Sequence, residues 1–145
     1  MRELDVAKTV DILNQVMEYE LAGVVRYTHY ALMVTGPYRQ PIVTFLQEQA
    51  AESLQHAQQA GELITGLEAH PSLGIAPIHE SHDHNLRTIL EESLQHEQAA
   101  LDLYKGLLDV VQDASVYLEE YTRTQIGAEE LHVVELKKML RDYGT

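Results

Sequence analysis

Residues 82–143 read HDHNLRTILEESLQHEQAALDLYKGLLDVVQDASVYLEEYTRTQIGAEELHVVELKKMLRDY and contain no proline. Leucine, glutamate, glutamine and alanine are frequent in this stretch, and all four favour helices. A single helix of these 62 residues would be about 93 Å long, at a rise of about 1.5 Å per residue. Because Asp113-Ala114-Ser115 offers side chains that cap helix N-termini, we predict one break there and two helices, at about residues 83–111 and 115–142.

In the rest of the chain, too, stretches without proline predict helices, because proline and glycine interrupt helices. Two further stretches, residues 3–35 and 42–69, lack proline and predict helices at about residues 4–35 and 40–69. Strand patterns are weak, because apolar and polar residues never alternate for long. The 145 residues therefore predict a single domain, residues 1–145, with an all-α four-helix bundle.

The connections between these helices predict the topology of the bundle. Those after the first and third helices are short, so each pair should form an antiparallel hairpin. The connection from His70 to His82 is longer, and about 13 extended residues reach roughly 43 Å. We therefore predict one long crossover, between the second and third helices, that runs along the bundle.

Composition excludes several classes of site and partner. The chain has no cysteine, which excludes disulfides, iron–sulfur clusters and thiolate zinc sites. Its 10 basic and 23 acidic residues give a net charge of −13, which disfavours nucleic acid as a partner and suits the collection of cations. Apolar runs are too short for a membrane helix and the N-terminus is unlike a signal peptide, so we expect a cytoplasmic protein without a membrane partner.

Each predicted helix carries ionisable side chains in the middle of its apolar stripe. A buried carboxylate costs several kcal/mol unless it is paired or bound to a metal, and glutamates and histidines that converge in a bundle core form dinuclear iron or manganese sites. Taken alone, the Glu-x-x-His of the fourth helix could be a surface pair. The four stripes together favour a metal site made by Glu20, His56, Glu97, Glu129 and His132.

The chain resembles the bacterioferritins and their non-haem relatives over essentially its whole length. The resemblance is carried by ELAGVVRY at residues 20–27, QHA at 55–57, GLEAHPSL at 66–73, Glu97, and EELH at 129–132. A single long crossover is also the ferritin-like form of the four-helix bundle. The resemblance implies subunits that oxidise Fe(II) at an intrasubunit di-iron site and usually assemble into hollow cages that store ferric mineral.

By this resemblance the five residues of the stripes fall on metal-ligand positions, and Tyr27 falls on a tyrosine beside the site. Glu20, Glu97, Glu129 and Tyr27 are then the expected catalytic residues. We expect Glu20 and Glu129 to serve one iron with His132 nearby, and Glu97 with His56 to serve the other. Manganese or zinc could replace iron in such a donor set.

Two positions of the second helix depart from the family pattern. The family has Glu-x-x-His there, whereas Ser53 lies three residues before His56 and the glutamate is Glu52. Either Glu52 reaches the metals, helped by a π-bulge that rotates it inward, or the site lacks a bridging carboxylate. We list Glu52 as a sixth metal ligand. Leu54 stands where bacterioferritins have the haem-binding methionine, so we expect no haem bound in that way.

The size of the assembly stays open at this point. The sequence ends at Thr145 without the fifth helix of many ferritins, so a 24-subunit shell, a 12-subunit shell and a dimer are all possible. The first helix has apolar residues outside its core stripe, which predicts that an antiparallel subunit dimer covers it. These residues are Tyr19, Val25, Tyr30, Leu32 and Met33.

The function predicted first is Fe(II) oxidation by O₂ or peroxide, with storage or detoxification of Fe(III). One alternative is a di-metal redox enzyme that acts on peroxide or O₂ without storing iron, since fold does not fix chemistry. Another is a catalytically degenerate structural subunit of a ferritin assembly. A DNA-binding mini-ferritin is disfavoured by the acidic charge.

One further histidine-rich segment could bind a metal, since residues 79–84 read HESHDH and such donors suit zinc, copper or iron. Its spacing matches no specific motif, and Ser81 or Asp83 is expected to cap the third helix. We expect His96 and Glu130 to lie on solvated faces, because they neighbour the predicted ligands without sharing their stripes.

Overall fold

The computed structural model describes residues 2–141, which form four helices and no strand. The all-α prediction is confirmed, and each helix lies within a few residues of its predicted position. The predicted end of the fourth helix at residue 142 lies outside the described residues. The helices are α1 (Val6–Met33), α2 (Arg39–Gly66), α3 (Leu86–Val111) and α4 (Val116–Leu140).

Side-chain caps fix the starts of three helices. The side chains of Asp5, Asn85 and Ser115 accept hydrogen bonds from backbone N–H groups in the first turns of α1, α3 and α4. The predicted break at Ser115 is therefore confirmed. The expected cap of α3 at Ser81 or Asp83 is wrong, because Asn85 has the extended backbone that an N-cap requires.

The long crossover occupies residues 67–85 and runs along α1. Ser72 N donates to Asn14 Oδ1 at 2.8 Å, Ala76 N donates to the Glu18 carbonyl at 3.0 Å, and Arg26 Nη2 donates to the His79 carbonyl at 2.9 Å. These contacts advance along α1 as the crossover advances. The crossover therefore joins opposite ends of the bundle, as the sequence predicts.

Two apolar clusters fill the core, one on each side of a polar layer. The larger contains Leu13, Ile64 and Leu107 among others, and the smaller contains Leu46 and Ile89. Between them, at the middle of all four helices, lie buried polar side chains. These include Glu20, Ser53, His56, His96, Glu97, Gln125 and Glu129.

The helices pack unequally around this core. α1 packs against α2 and α3, and α4 packs against α3. Between α2 and α4 the structure leaves a cavity of about 1020 Å³, whose walls include Gln59 and Tyr121. The α2–α4 side is therefore the most open side of the subunit.

Only some of the apolar residues predicted to lie on the outer face of α1 are exposed there. Val25, Leu32 and Met33 are exposed in the subunit, as a covering partner would require. Tyr30 is instead fully buried in the smaller apolar cluster, and its hydroxyl accepts a hydrogen bond from Arg26 and donates one to Glu92. Within residues 2–141, no helix has both the length and the apolarity needed to cross a membrane.

Gly23 lies where α1 comes closest to its neighbours. A Cβ atom at this position would lie 2.9 Å from His96 Nε2 and 2.9 Å from Ser53 Oγ, closer than side chains tolerate. We expect Gly23→Ala to lower the free energy of unfolding by about 1–3 kcal/mol through overpacking, measured by urea denaturation. Gly127→Ala is the matched control, because an added Cβ there would have no atom of the described residues within 4 Å, apart from its two chain neighbours and the backbone of its own helix. The control should gain about 0.5–1 kcal/mol, and an equal gain at Gly23 would contradict the close approach.

Candidate metal centre

The predicted ligands converge in the polar layer from all four helices. Glu20 comes from α1, His56 from α2, Glu97 from α3, and Glu129 with His132 from α4. Their ligand atoms form two groups, each with all atoms within 4.8 Å of one another. The first group is Glu20, His56 and Glu129, and the second is Glu97, Glu129 and His132.

Glu129 belongs to both groups and presents one oxygen to each. Its Oε1 lies 3.8 Å from His56 Nδ1, and its Oε2 lies 3.5 Å from His132 Nδ1. The other carboxylates complete the two groups, with Glu20 Oε2 3.4 Å from His56 Nδ1 and Glu97 Oε2 3.7 Å from His132 Nδ1. A carboxylate between two histidine–glutamate pairs has the arrangement of a bridge between two metals.

This grouping differs from the assignment that the sequence suggested. His56 lies with Glu20, and His132 lies with Glu97, whereas the sequence suggested Glu97 with His56. Helix order along the chain gives the reason. α1 and α2 form one hairpin and α3 and α4 form the other, and each hairpin keeps its glutamate and its histidine together.

Glu52 also reaches the centre, but from the other side of the imidazole rings. Its Oε2 lies 3.1 Å from His132 Nε2, and its Oε1 lies 3.6 Å from His56 Nε2. Both Nδ1 atoms face the shared Glu129. α2 is regular α-helix from Arg39 to Gly66, so the π-bulge that the sequence suggested is absent, and the length of the glutamate side chain alone spans the gap.

Tyr27 contacts the centre through Glu97. Its hydroxyl is fully buried and donates a hydrogen bond of 2.5 Å to Glu97 Oε1, which leaves Oε2 facing His132. Burial, followed by the charge of Glu97, raises the pKa of Tyr27 well above its ordinary value. The tyrosine therefore stays protonated and fixes the orientation of the Glu97 carboxylate.

Burial and mutual contacts shift the pKa values of several side chains in the metal-free centre. Burial raises the pKa of Glu20 and of Glu129, and the adjacent Glu97 raises that of Glu129 further. Burial alone would lower the pKa of His132, but contacts with Glu129, Glu52 and Glu97 outweigh it and raise the pKa. Cations compete with protons for these groups, so we expect metal affinity to rise with pH.

Two orphaned atoms support the fit of the centre to metal ions. Within residues 2–141, Glu129 Oε2 and His132 Nδ1 are buried and have no hydrogen-bond partner. Unpaired buried polar atoms are uncommon in proteins, and both of these face the same space. Carboxylate oxygens and imidazole nitrogens are ligands that iron, manganese and zinc accept. The donor set therefore fits a pair of such ions.

His96 is buried, so the prediction that it lies on a solvated face is wrong. It is 5% exposed, its ring stacks on Tyr19 with centroids 4.4 Å apart, and it meets Tyr27 edge-on. Burial lowers the pKa of His96 to about 4, so the ring is neutral and packs as an aromatic. His96 lies three residues after Ser93 and seven after Ile89, so all three share one face of α3. This spacing could have predicted that His96 is buried. Glu130 is exposed, as expected.

A bundle of four helices with two histidine–carboxylate groups sharing one glutamate defines the class of carboxylate-bridged dinuclear proteins. A sequence model described as the ferritin-like domain matches residues 10–144. The chain therefore belongs to the ferritin-like family, and the resemblance seen in the sequence is confirmed. A search of curated proteins finds no match.

Several solved structures share the fold. A ferritin-like diiron-carboxylate protein from Bacillus anthracis has a TM-score of 0.90 at 24% identity, and the match covers 97% of this chain and 100% of that one. The bacterioferritin-related protein of Bacteroides fragilis, described as a dodecameric thioferritin, has a TM-score of 0.89 at 23% identity over 97% and 88% of the two chains. Bacterioferritin from Rhodobacter capsulatus gives 0.85 at 26% identity over 98% and 88%. The ferritin-like bundle predicted from the sequence is thus confirmed.

Proposed function

We propose that this protein binds two Fe(II) ions at the centre around Glu129, oxidises them with O₂ or peroxide, and sequesters the Fe(III) product. The observation that carries this proposal is the shared glutamate, with one oxygen toward each of two glutamate–histidine pairs. Two metals held about 3.5–4 Å apart can together supply two electrons to one oxidant. Membership of the ferritin-like family supports the same chemistry.

Charge balance supports two divalent ions as the substrate. Glu20, Glu97 and Glu129 supply three carboxylates to the two metals, and the nearby Glu52 supplies a fourth. Four negative charges match two Fe(II) ions, so a loaded centre is close to neutral in its buried layer. Oxidation adds two positive charges to that layer, which favours hydroxide uptake or movement of Fe(III) away from the centre.

Access to the centre is from the α2–α4 side. The side chains of Glu52 and His132 are 34% and 17% exposed, whereas those of Glu20 and Glu129 are 4% and 1% exposed. α2 and α4 are also the helices that the cavity separates. We infer that Fe(II) enters past Glu52, while apolar clusters on both sides keep the shared carboxylate dry.

Glu52 acts in this proposal by orienting the two histidines. Metal-bound histidines usually donate their second N–H to a carboxylate, and losing such a partner costs about 10–100-fold in metal affinity or activity. We expect Glu52→Ala to slow Fe(II) oxidation by about that factor, and Glu52→Gln to restore part of the loss through its amide oxygen. Stopped-flow absorbance of ferric product measures both. If Glu52→Gln were as inactive as Glu129→Gln, Glu52 would instead be a metal ligand, as the sequence suggested.

The proposal includes a homo-oligomer. Val25 and Leu32 on α1 and Leu54 on α2 are exposed apolar side chains, and covering them with a second subunit removes that apolar surface from water. The described state of the Bacteroides fragilis relative is dodecameric. We therefore propose pairs of antiparallel subunits that build a larger shell with iron in its interior.

Iron loading tests the function as a whole. The purified protein is given Fe(II) in air and passed through size exclusion, and iron per subunit is measured by elemental analysis. We expect iron far in excess of two ions per subunit, eluting with a large particle. Two or fewer ions on a small dimer would contradict storage and favour a di-metal redox enzyme. The same loading of the Glu129→Gln protein is the control. It measures the iron that precipitates on the protein without oxidation at the centre.

A further inference from the structure

A second cluster of metal-binding side chains lies outside the proposed iron centre. It joins His29 of α1 to Glu80 and His84 of the crossover, and the ligand atoms of these three residues lie within 4.8 Å of one another. The sequence pointed to the segment but could not supply His29, which lies 51 residues before Glu80. The crossover brings them together, because it runs along α1.

The distances within this cluster suit a tetrahedral cation. Glu80 Oε1 lies 3.5 Å from His29 Nε2 and 2.7 Å from His84 Nε2. Ligand atoms about 2.0–2.1 Å from a tetrahedral zinc ion are roughly 3.3 Å apart, so a small widening at His84 admits the ion. The two imidazole rings have centroids 5.3 Å apart and planes inclined by 69°, which lets their nitrogens converge.

The unpartnered atoms in this cluster point to a missing ligand. The Glu80 side chain is 9% exposed. Within residues 2–141, neither Glu80 Oε1 nor His84 Nε2 makes a hydrogen bond of acceptable geometry, although both are buried atoms. These two atoms lie 2.7 Å apart without hydrogen-bond geometry, an approach that a cation shared between them would account for.

Neighbouring residues hold the cluster in position. His82 Nδ1 lies 2.8 Å from Glu80 Oε2, the oxygen that does not face His29. His82 has a backbone φ of 64°, a left-handed conformation that is uncommon outside glycine, and it directs the ring back toward Glu80. Arg26 holds the adjacent His79 carbonyl, and Ser81 donates to Glu92 of α3. The segment is thus fixed on both sides of Glu80.

We propose that His29, Glu80 and His84 bind one zinc-like divalent cation per subunit and thereby fasten the crossover to α1. Imidazole and carboxylate donors suit Zn(II) and Co(II) far better than Mg(II) or Ca(II). Three protein ligands leave a fourth position for water. The site is independent of the iron centre, since it uses no residue of that centre.

Zinc titration of metal-free protein tests the site. The background protein carries His56→Ala, Glu129→Gln and His132→Ala, which remove the shared carboxylate and both histidines of the iron centre. We expect calorimetry to give one zinc per subunit, and Co(II) to give the visible absorption of a tetrahedral site. His84→Ala or His29→Ala should weaken zinc binding by more than about tenfold. His79→Ala, an exposed histidine in the same segment, is the matched control and should bind as the background does.

Hydrogen exchange supplies the second measurement. Zinc should slow amide exchange in residues 79–85 of the background protein and leave it unchanged in the His84→Ala protein. Circular dichroism of each variant confirms that it is folded. Absence of zinc binding in the background, equal losses in His79→Ala and His84→Ala, or equal binding of Mg(II) would overturn the proposal.

Discussion

We expect Glu129→Gln to abolish Fe(II) oxidation, with a fall of at least about 100-fold. Loss of an outer partner of a metal ligand already costs about 10–100-fold, and Glu129 faces both histidines of the centre directly. An amide has one oxygen in place of two and carries no charge, so it cannot hold two cations together. The initial rate of ferric absorbance after Fe(II) addition measures the effect.

Glutamine is the informative replacement at this position. Burial raises the pKa of Glu129, which favours the protonated side chain in the metal-free protein, and glutamine reproduces that neutral form and its volume. The variant should therefore fold normally. Glu130→Gln is the matched control, because Glu130 is the exposed neighbour on the same helix and its loss should leave the rate unchanged. A Glu129→Gln protein that kept more than a tenth of the rate would exclude Glu129 as a bridge.

We expect bound metal to raise the melting temperature by on the order of 10 °C. A ligand at 100 times its dissociation constant stabilises the native state by about 2.7 kcal/mol per site, so two sites give roughly 5 kcal/mol. For a chain of this size each kcal/mol corresponds to about 2–4 °C. Calorimetry with Zn(II), or with Fe(II) under nitrogen, measures the shift.

The melting experiment is best made in the His84→Ala protein, so that zinc at the crossover adds nothing. Adding His56→Ala, Glu129→Gln and His132→Ala to that protein provides the control, and its melting temperature should respond little to either metal. Metal removal by a chelator should return the stabilised protein to its starting value. An unchanged melting temperature with both Zn(II) and Fe(II) would show that the polar layer is not a preformed site.

The sequence was sufficient for the features that depend on helical periodicity. Polar residues such as Glu20 and Glu97 interrupt apolar stripes at equal heights, and that pattern alone predicted their convergence. The sequence does not predict the direction in which each side chain points. The approach of Glu52 to the Nε2 side of His56 depends on rotamers and on the spacing between α2 and α4.

The sequence also could not predict contacts between residues that are far apart along the chain, or the choice among neighbouring N-cap candidates. Three capping residues, Ser81, Asp83 and Asn85, stand within five positions, and local preference cannot choose among them because each is a good N-cap. Contacts with Glu92 and within the loop engage the first two, which leaves Asn85. The contact between His29 and Glu80 could not be predicted, because it depends on the path of the crossover along α1.

The layered core has a consequence for how the subunit opens. Its two apolar clusters lie on either side of the carboxylate layer, so little continuous hydrophobic packing links one end of the bundle to the other. Without cations, we expect each end to exchange its amide protons as a separate cooperative unit. Metals in the layer should join the two units, so that the loaded subunit opens as a whole.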